Sequence, residues 1–338
     1  MFGKIEVEER IWRSSTESFK RVFAPMAGIT PQSKSRALNR ALSDFGVEHS
    51  FGQAAQRFRE HYGFTIPVSS VRASTLESAR RAQAGLEAKY QESYRVLPAK
   101  GHEHVIAEGD GTMICTVASG SRKGKRPREW KEMRLIAAQP QGSKTATYAA
   151  GFLEVEEAGR RWGHCARDAG WGLQSFIHVV ADGAEWIRKQ ATEVFGDQHK
   201  TLCDFYHVSG YLGEASKSVA PETPEQWRKI QQCRLKEGAL PKVLKAMQPY
   251  AEEEGTPKEN APVNNALRYL ENRSENLDYP TALAKNLPIG SGLIESGHRH
   301  VLQCRLKKAG TAWVPENAHA ISQLRVVRSN GNWNSLWN

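Results

Sequence analysis

Residues Ser175–Gly183 read SFIHVVADG. This nearly continuous apolar run ends on Asp182, as expected of a parallel strand buried on both faces by helices. A carboxylate at that stop sits at the carboxyl end of a strand, where open α/β sheets place their ligands. Downstream, AEWIRKQATEVFG (184–196) reads as a helix and HKTLCDFYH (199–207) as a further strand ending near Asp204. Upstream, LEVEEAGRRWGHCARDAG (153–170) reads as a helix. Before it come three strands: HVIAEGDGTMICTVA (104–118), EMRLIAAQ (132–139) and TATYAAGF (145–152). Turns between these three predict an antiparallel meander.

The order is therefore three strands, helix, strand, helix, strand, helix. That connectivity predicts an α/β fold of RNase H-like type: a mixed five-stranded sheet with helices on both faces. The right-handed crossover rule sets the fourth strand parallel to the first and beside it. Asp110 and Asp182 then become neighbours about 5 Å apart by strand spacing. Two carboxylates that close do not both stay ionised without a cation, and oxygen ligands suit Mg²⁺. Asp204 lies one strand further out, about twice as far from Asp110, so Asp182 is the preferred partner. Asp204 and His207 read rather as a satisfied structural hydrogen-bond pair beside the site.

The third acid comes from PIGSGLIESGHRHVLQCRLKKAGTAW (288–313). Ser291 suits an N-cap and Gly310 a helix stop. Glu295 falls in the first turn, where the helix dipole alone favours an acid. His298 and Arg299, at i+3 and i+4, share its face. Leu302 and Leu306 continue a buried stripe, while Arg305, Lys307 and Lys308 crowd the exit.

The chain has 338 residues and a formal net charge of +10. Residues 1–100 hold 16 Lys and Arg against 10 Asp and Glu, and residues 288–338 hold 6 against 2. The basic excess is thus concentrated in two segments, the footprint of a polyanion partner. No run is long and apolar enough to span a membrane and MFGKIEVEER lacks a signal-peptide core, so a cytoplasmic protein is expected. Five cysteines at 115, 165, 203, 233 and 304 form no CxxC pair, which argues against a zinc knuckle and for a reducing compartment.

Residues 1–29 read as a short β segment (IEVEERIW, FKRVFA), and 30–100 as a helical helix-turn-helix domain with its linker. Thr30-Pro31 begins the first helix, which Gly46 closes. Ser50 and Gln53 form a capping box for the second, and the third runs from Ser69 to about Gln83. Ser70, Arg72 and Ser74 then lie at the start of a DNA-reading helix, with Arg80 and Arg81 on its flank. A bare helical bundle fits the same pattern. The polar loop SRKGKRPREWK (121–131) adds Arg122, Lys123, Lys125, Arg126 and Arg128 as phosphate-neutralising candidates. Residues 101–207 form the first part of the catalytic domain, 208–287 an all-α insertion, and 288–338 its completion with a C-terminal helix bearing Arg325 and Arg328 outward.

Three motifs (DGT around Asp110, ADG around Asp182, and GSGLIESGHRHVLQCRLKKAGTAW) resemble the DDE transposases of bacterial insertion sequences, nearest the ISKra-type group. The Asp-x-x-His at 204–207 falls in the order that resemblance expects. It covers about residues 30–338. It implies a metal-binding catalytic triad of Asp110, Asp182 and Glu295, two Mg²⁺ ions (Mn²⁺ substituting), DNA as substrate and target, and a homo-oligomer assembled on DNA. Other readings are a nuclease of the same fold without joining activity and a non-catalytic DNA-binding derivative. Transposases of this type usually carry more sequence before the helix-turn-helix, so a truncated copy is expected.

Overall fold

The computed structural model describes residues 34–118 and 127–337, together with Glu8 and Met26. The expected N-terminal β segment, the Thr30-Pro31 helix start and loop residues Arg122, Lys123, Lys125 and Arg126 lie outside the described residues. The chain divides into two units. One comprises residues 1–91, 113–131 and 299–338; the other comprises 92–112 and 132–298. The expected linear division differs, because residues 299–338 group with the N-terminal helices and not with the sheet.

In the first unit, α1 (Arg36–Glu48) begins at Ser35, whose side chain accepts from the Leu38 amide, and runs through Gly46. Helix α2 (Phe51–Tyr62) carries the expected Ser50/Gln53 capping box and ends at Gly63 in a left-handed conformation. The expected third helix and its linker are one element, α3 (Val68–Gln91). Leu42, Ala54, Phe58 and Val71 form the apolar centre of the three helices. Complete burial of such side chains contributes about 1.5–3 kcal/mol for each large one.

The second unit is a mixed α/β assembly. Its sheet holds β1 (His104–Val117), β2 (Arg128–Pro140), β3 (Thr147–Gly151), β4 (Phe176–Ala181) and β5 (His199–Cys203), in the order β3-β2-β1-β4-β5. The outer ends of β1 and β2 belong to the first unit. Strands β2 and β3 are antiparallel. Strand β1 is parallel to β4, and β4 to β5, as the apolar run and the crossover rule require. Helix α4 (Val155–Asp168) packs on the sheet, its buried Trp162 donating through Nε1 to the Ala137 carbonyl at 3.2 Å. Helix α5 (Glu185–Phe195) joins β4 to β5.

Residues 208–287 contain no strand. They fold as the rest of α6 (Phe205–Val219), then α7 (Pro224–Lys236), α8 (Leu240–Met247), α9 (Pro262–Glu271) and α10 (Tyr279–Ala284). Leu212, Val243, Val263, Ala266 and Leu270 give this block its own core, continuous with Leu202 and Cys203 of β5. The chain then enters α11 (Gly292–Gly297), a π-helical segment (His298–Gln303) and a last short turn, α12 (Cys304–Leu306). The helix thus ends before Gly310. The terminal helix α13 (Pro315–Ser329) belongs to the first unit and packs on α3 there.

Alternation along β1 places helices on both faces of the strand. A Cβ at Gly109 would lie 3.4 Å from Trp186 of α5. The next residue back, Glu108, points the other way, and its Oε2 accepts from the Ile294 amide of α11 at 2.8 Å. No helix among the described residues is long and apolar enough to cross a membrane.

Candidate active site

Strand register sets the acids level with one another. Glu108 pairs with Val180 across β1 and β4, and two residues further on each strand come Asp110 and Asp182. Ala181 pairs with Cys203 across β4 and β5, and one residue further come Asp182 and Asp204. Glu295 arrives from α11. Asp110, Asp182, Asp204 and Glu295 line one cavity of about 400 Å³, with Tyr206, His207 and Ser291.

The four acids differ in what already holds them. Asp204 is buried at 3% exposure and caps α6, its Oδ1 accepting from the Tyr206 and His207 amides at 2.6 and 3.1 Å. Its Oδ2 accepts from the Ser291 amide at 2.9 Å and from the Ser291 hydroxyl. Both oxygens are therefore committed. Ser291 does not cap α11 with its own side chain, because its hydroxyl serves Asp204. The expected Asp204–His207 pair exists through the His207 backbone; the imidazole instead packs against Tyr211 and Tyr269. Asp182 is exposed, and its Oδ1 accepts from the Ala184 amide at 2.9 Å. Asp110 likewise turns Oδ1 to its neighbour, the Gly111 amide, at 2.7 Å. Asp182 is thus the more open of the two carboxylates and Asp204 the committed one.

His298 is 4% exposed, and its Nε2 lies 3.2 Å from Asp110 Oδ2. The approach is within ion-pair range but off hydrogen-bond alignment, leaving both ring nitrogens without a hydrogen-bond partner. Arg299, the next residue, is exposed and falls in the first unit.

Glu108 lies beneath this cavity, next to its lining residues Gly109 and Ile294, and the motifs do not point to it. It is completely buried, and its Oε1 has no partner. Burial, reinforced by the Asp204 and Glu295 charges, pushes its carboxyl up to about 8 against the pull of the Ile294 amide. It is therefore a neutral acid at pH 7. The available signal was a Glu in an otherwise apolar strand, two residues before Asp110 and so on the same face.

Hard oxygen donors on one wall of a cavity match a Mg²⁺ site in chemistry, and the orphaned His298 nitrogens beside Asp110 mark unfilled polar demand there. The described residues contain no preformed cage: no three His, Cys, Asp or Glu side chains converge to hold a metal. Asp110, Asp182 and Glu295 offer oxygen donors of the kind such a group takes, without forming a preformed cage.

The candidate DNA contacts divide. Arg72, Arg80, Arg81, Arg128 and Lys307 are exposed; Ser70 and Lys308 are half-buried. Arg81 lies 5.0 Å over the Trp337 ring. Ser74 is buried and donates to Asn39 Oδ1 at 2.8 Å, so it packs helices together and presents no surface. Arg305 is also buried, its Nε donating to the Gly46 carbonyl at 2.9 Å and its guanidinium lying over Phe51 and Trp313. Arg325 and Arg328, expected outward, pair with Glu48, and Arg328 also with Asp44.

Residues 171–335 match the model of an uncharacterised protein family, UPF0236. No curated protein matches the chain.

Proposed function

We propose that this chain is a DDE transposase of the ISKra-type group, cutting and joining DNA by metal-dependent phosphoryl transfer on an RNase H-like catalytic domain. One observation carries the reading. Asp110 comes from within β1, Asp182 from just past the end of β4 and Glu295 from a distant helix, yet all three line a single cavity. Packing alone gives no reason to gather three acids there.

Asp110, Asp182 and Glu295 would hold the ions, and Asp204 would not, because its acceptors are taken. Mg²⁺ bound there would offset the charge that develops on attacking and leaving oxygens. The chain's own residues set the stage for this. His298 abuts Asp110 and limits its swing. Glu108 holds the start of α11 through the Ile294 amide. Asp204 fixes the Ser291 turn, and with it the approach of Glu295. The reaction class is hydrolysis of a phosphodiester to free a 3′-OH, followed by attack of that 3′-OH on target DNA. Arg72, Arg80, Arg81 and Arg128 supply exposed positive charge for duplex binding. Assembly as a homo-oligomer on DNA, in the cytoplasm, belongs to the same reading.

Glu295→Gln tests it. Gln is nearly isosteric and keeps helix propensity, so melting temperature and metal-free duplex affinity should stay near wild type. Cleavage and joining should fall by orders of magnitude, and Asp110→Asn and Asp182→Asn should behave alike without additive losses. Asp204→Asn should instead lower the melting temperature, since an amide nitrogen replaces an acceptor. Wild-type cleavage by Glu295→Gln would overturn the assignment, and a strand-transfer assay separates a transposase from a nuclease.

A further inference from the structure

A second cavity, of about 230 Å³, shares Ala181 with the carboxylate cavity and lies on the other side of the Asp182–Gly183 turn. Its polar lining comes from three places: Arg188 of α5, Thr201 of β5, and Asn272, Arg273 and Asn276 at the end of α9. Among the described residues neither guanidinium has an ion-pair partner, although Glu185 also lines the cavity. Thr201 and Cys203, two apart on β5, share a face and both border this space. The Thr201 hydroxyl is buried and makes no hydrogen bond. A buried hydroxyl left unpaired is costly, and Thr201 borders the same opening as Arg188 and Arg273. Burial pushes the Cys203 thiol up to about 11, so it stays neutral and adds no competing anion.

Arg273 also ties this cavity to the acids. Its Nη2 donates to the Gly183 carbonyl at 3.0 Å, and its guanidinium lies 4.1 Å over the Tyr269 ring. The Tyr269 hydroxyl in turn donates to the Asp182 carbonyl at 2.7 Å. Gly183 is at φ +93°, and any Cβ there would strike the Arg273 guanidinium.

We infer that this cavity is an oxyanion site that holds a phosphodiester of the DNA strand neighbouring the one engaged by the carboxylates. The inference rests on the phosphoryl-transfer reading of that site. Planar guanidinium forks suit phosphate oxygens, and the volume is below that of pockets for whole drug-sized ligands. The 208–287 block thereby acquires a role in the chemistry. Helix α9 delivers Arg273 to the turn that carries Asp182, so a seated phosphate steadies that acid.

The test uses the full chain in EDTA, with DNA affinity measured across a salt series for wild type, Arg188→Gln, Arg273→Lys and Thr201→Val. Each lost phosphate contact should lower the slope of log affinity against log salt by about 0.7–0.9. Arg188→Gln should show that drop with an unchanged melting temperature, because Arg188 is exposed. Thr201→Val should weaken binding without changing the slope. Slopes and affinities equal to wild type in all variants would overturn this proposal alone. Wild-type protein without DNA affinity would overturn the carboxylate reading and this one together. Inorganic phosphate, titrated in parallel, identifies a free-anion site: its binding lost in Arg188→Gln while the DNA slope is unchanged would refute the strand assignment.

Discussion

Glu108 shows how one side chain couples folding to pH. Its folded-state value of about 8 stands above the ordinary 4.5, so unfolding releases a proton between those limits. Stability is then highest below about pH 4.5 and declines as pH rises to about 8, by about 1.4 kcal/mol per pH unit for this group. Glu108→Gln removes the titration and keeps the shape. Its stability relative to wild type should rise steadily from pH 5 to pH 8 in urea melts. A difference that stays constant with pH would mean that Glu108 is already ionised in the fold. Among single residues, Asp110 within β1, Asp182 just past β4 and Glu295 in α11 were singled out from the sequence pattern, and they line one cavity. Ser74 and Arg305 were singled out as DNA contacts and are buried instead. A serine near a helix start and an arginine in a basic run look exposed until their partners, Asn39 and Gly46, are known.

At the scale of elements, the turn before α11 is the corner on which the site depends. Gly290 packs under Tyr206, whose ring carbons would lie 2.6 Å from any Cβ placed there. Ser291 fills both acceptor directions of Asp204 Oδ2. Ser291→Ala removes one of those donors from a buried carboxylate and should cost about 1–3 kcal/mol, read as a lower urea midpoint. Unchanged stability would show that the serine hydroxyl is dispensable to Asp204. The strand order and the parallel β1–β4 pairing were readable because an apolar run and a handedness rule leave few arrangements. The continuation of α3 through the expected linker accords with the absence of proline from residues 68–91. The π-helical stretch after Gly297 has no signature in residue type; such segments are frequent at functional sites.

Over the whole molecule, net charge misleads wherever cations are spent internally. Arg325 is 5% exposed, paired with Glu48 at 2.5 Å, and donates to the Val301 carbonyl at 3.1 Å. Its partners are far away in the chain, so helical periodicity alone set it outward. Exposed Arg72 is a different case. Arg72→Ala should relax sequence preference by about 1–3 kcal/mol if it reads a base edge, measured as the ratio of affinities for cognate and scrambled duplexes. Identical ratios for mutant and wild type would remove α3 as the reading helix.

The Asp204–Ser291 contact joins positions 87 apart in sequence, and the Phe205 amide donates to the Ile289 carbonyl at 2.8 Å beside it. The helical excursion between them therefore leaves and returns through a stitched neck. Once a loop's ends are pinned, doubling its length adds only about 0.6 kcal/mol of closure entropy. The intervening helices can thus lengthen, shorten at their exposed turns, or acquire new surfaces while the acids on either side of the neck keep their spacing. Only the neck itself and the Tyr269–Arg273 segment, tied to the Asp182–Gly183 turn, have to keep their places.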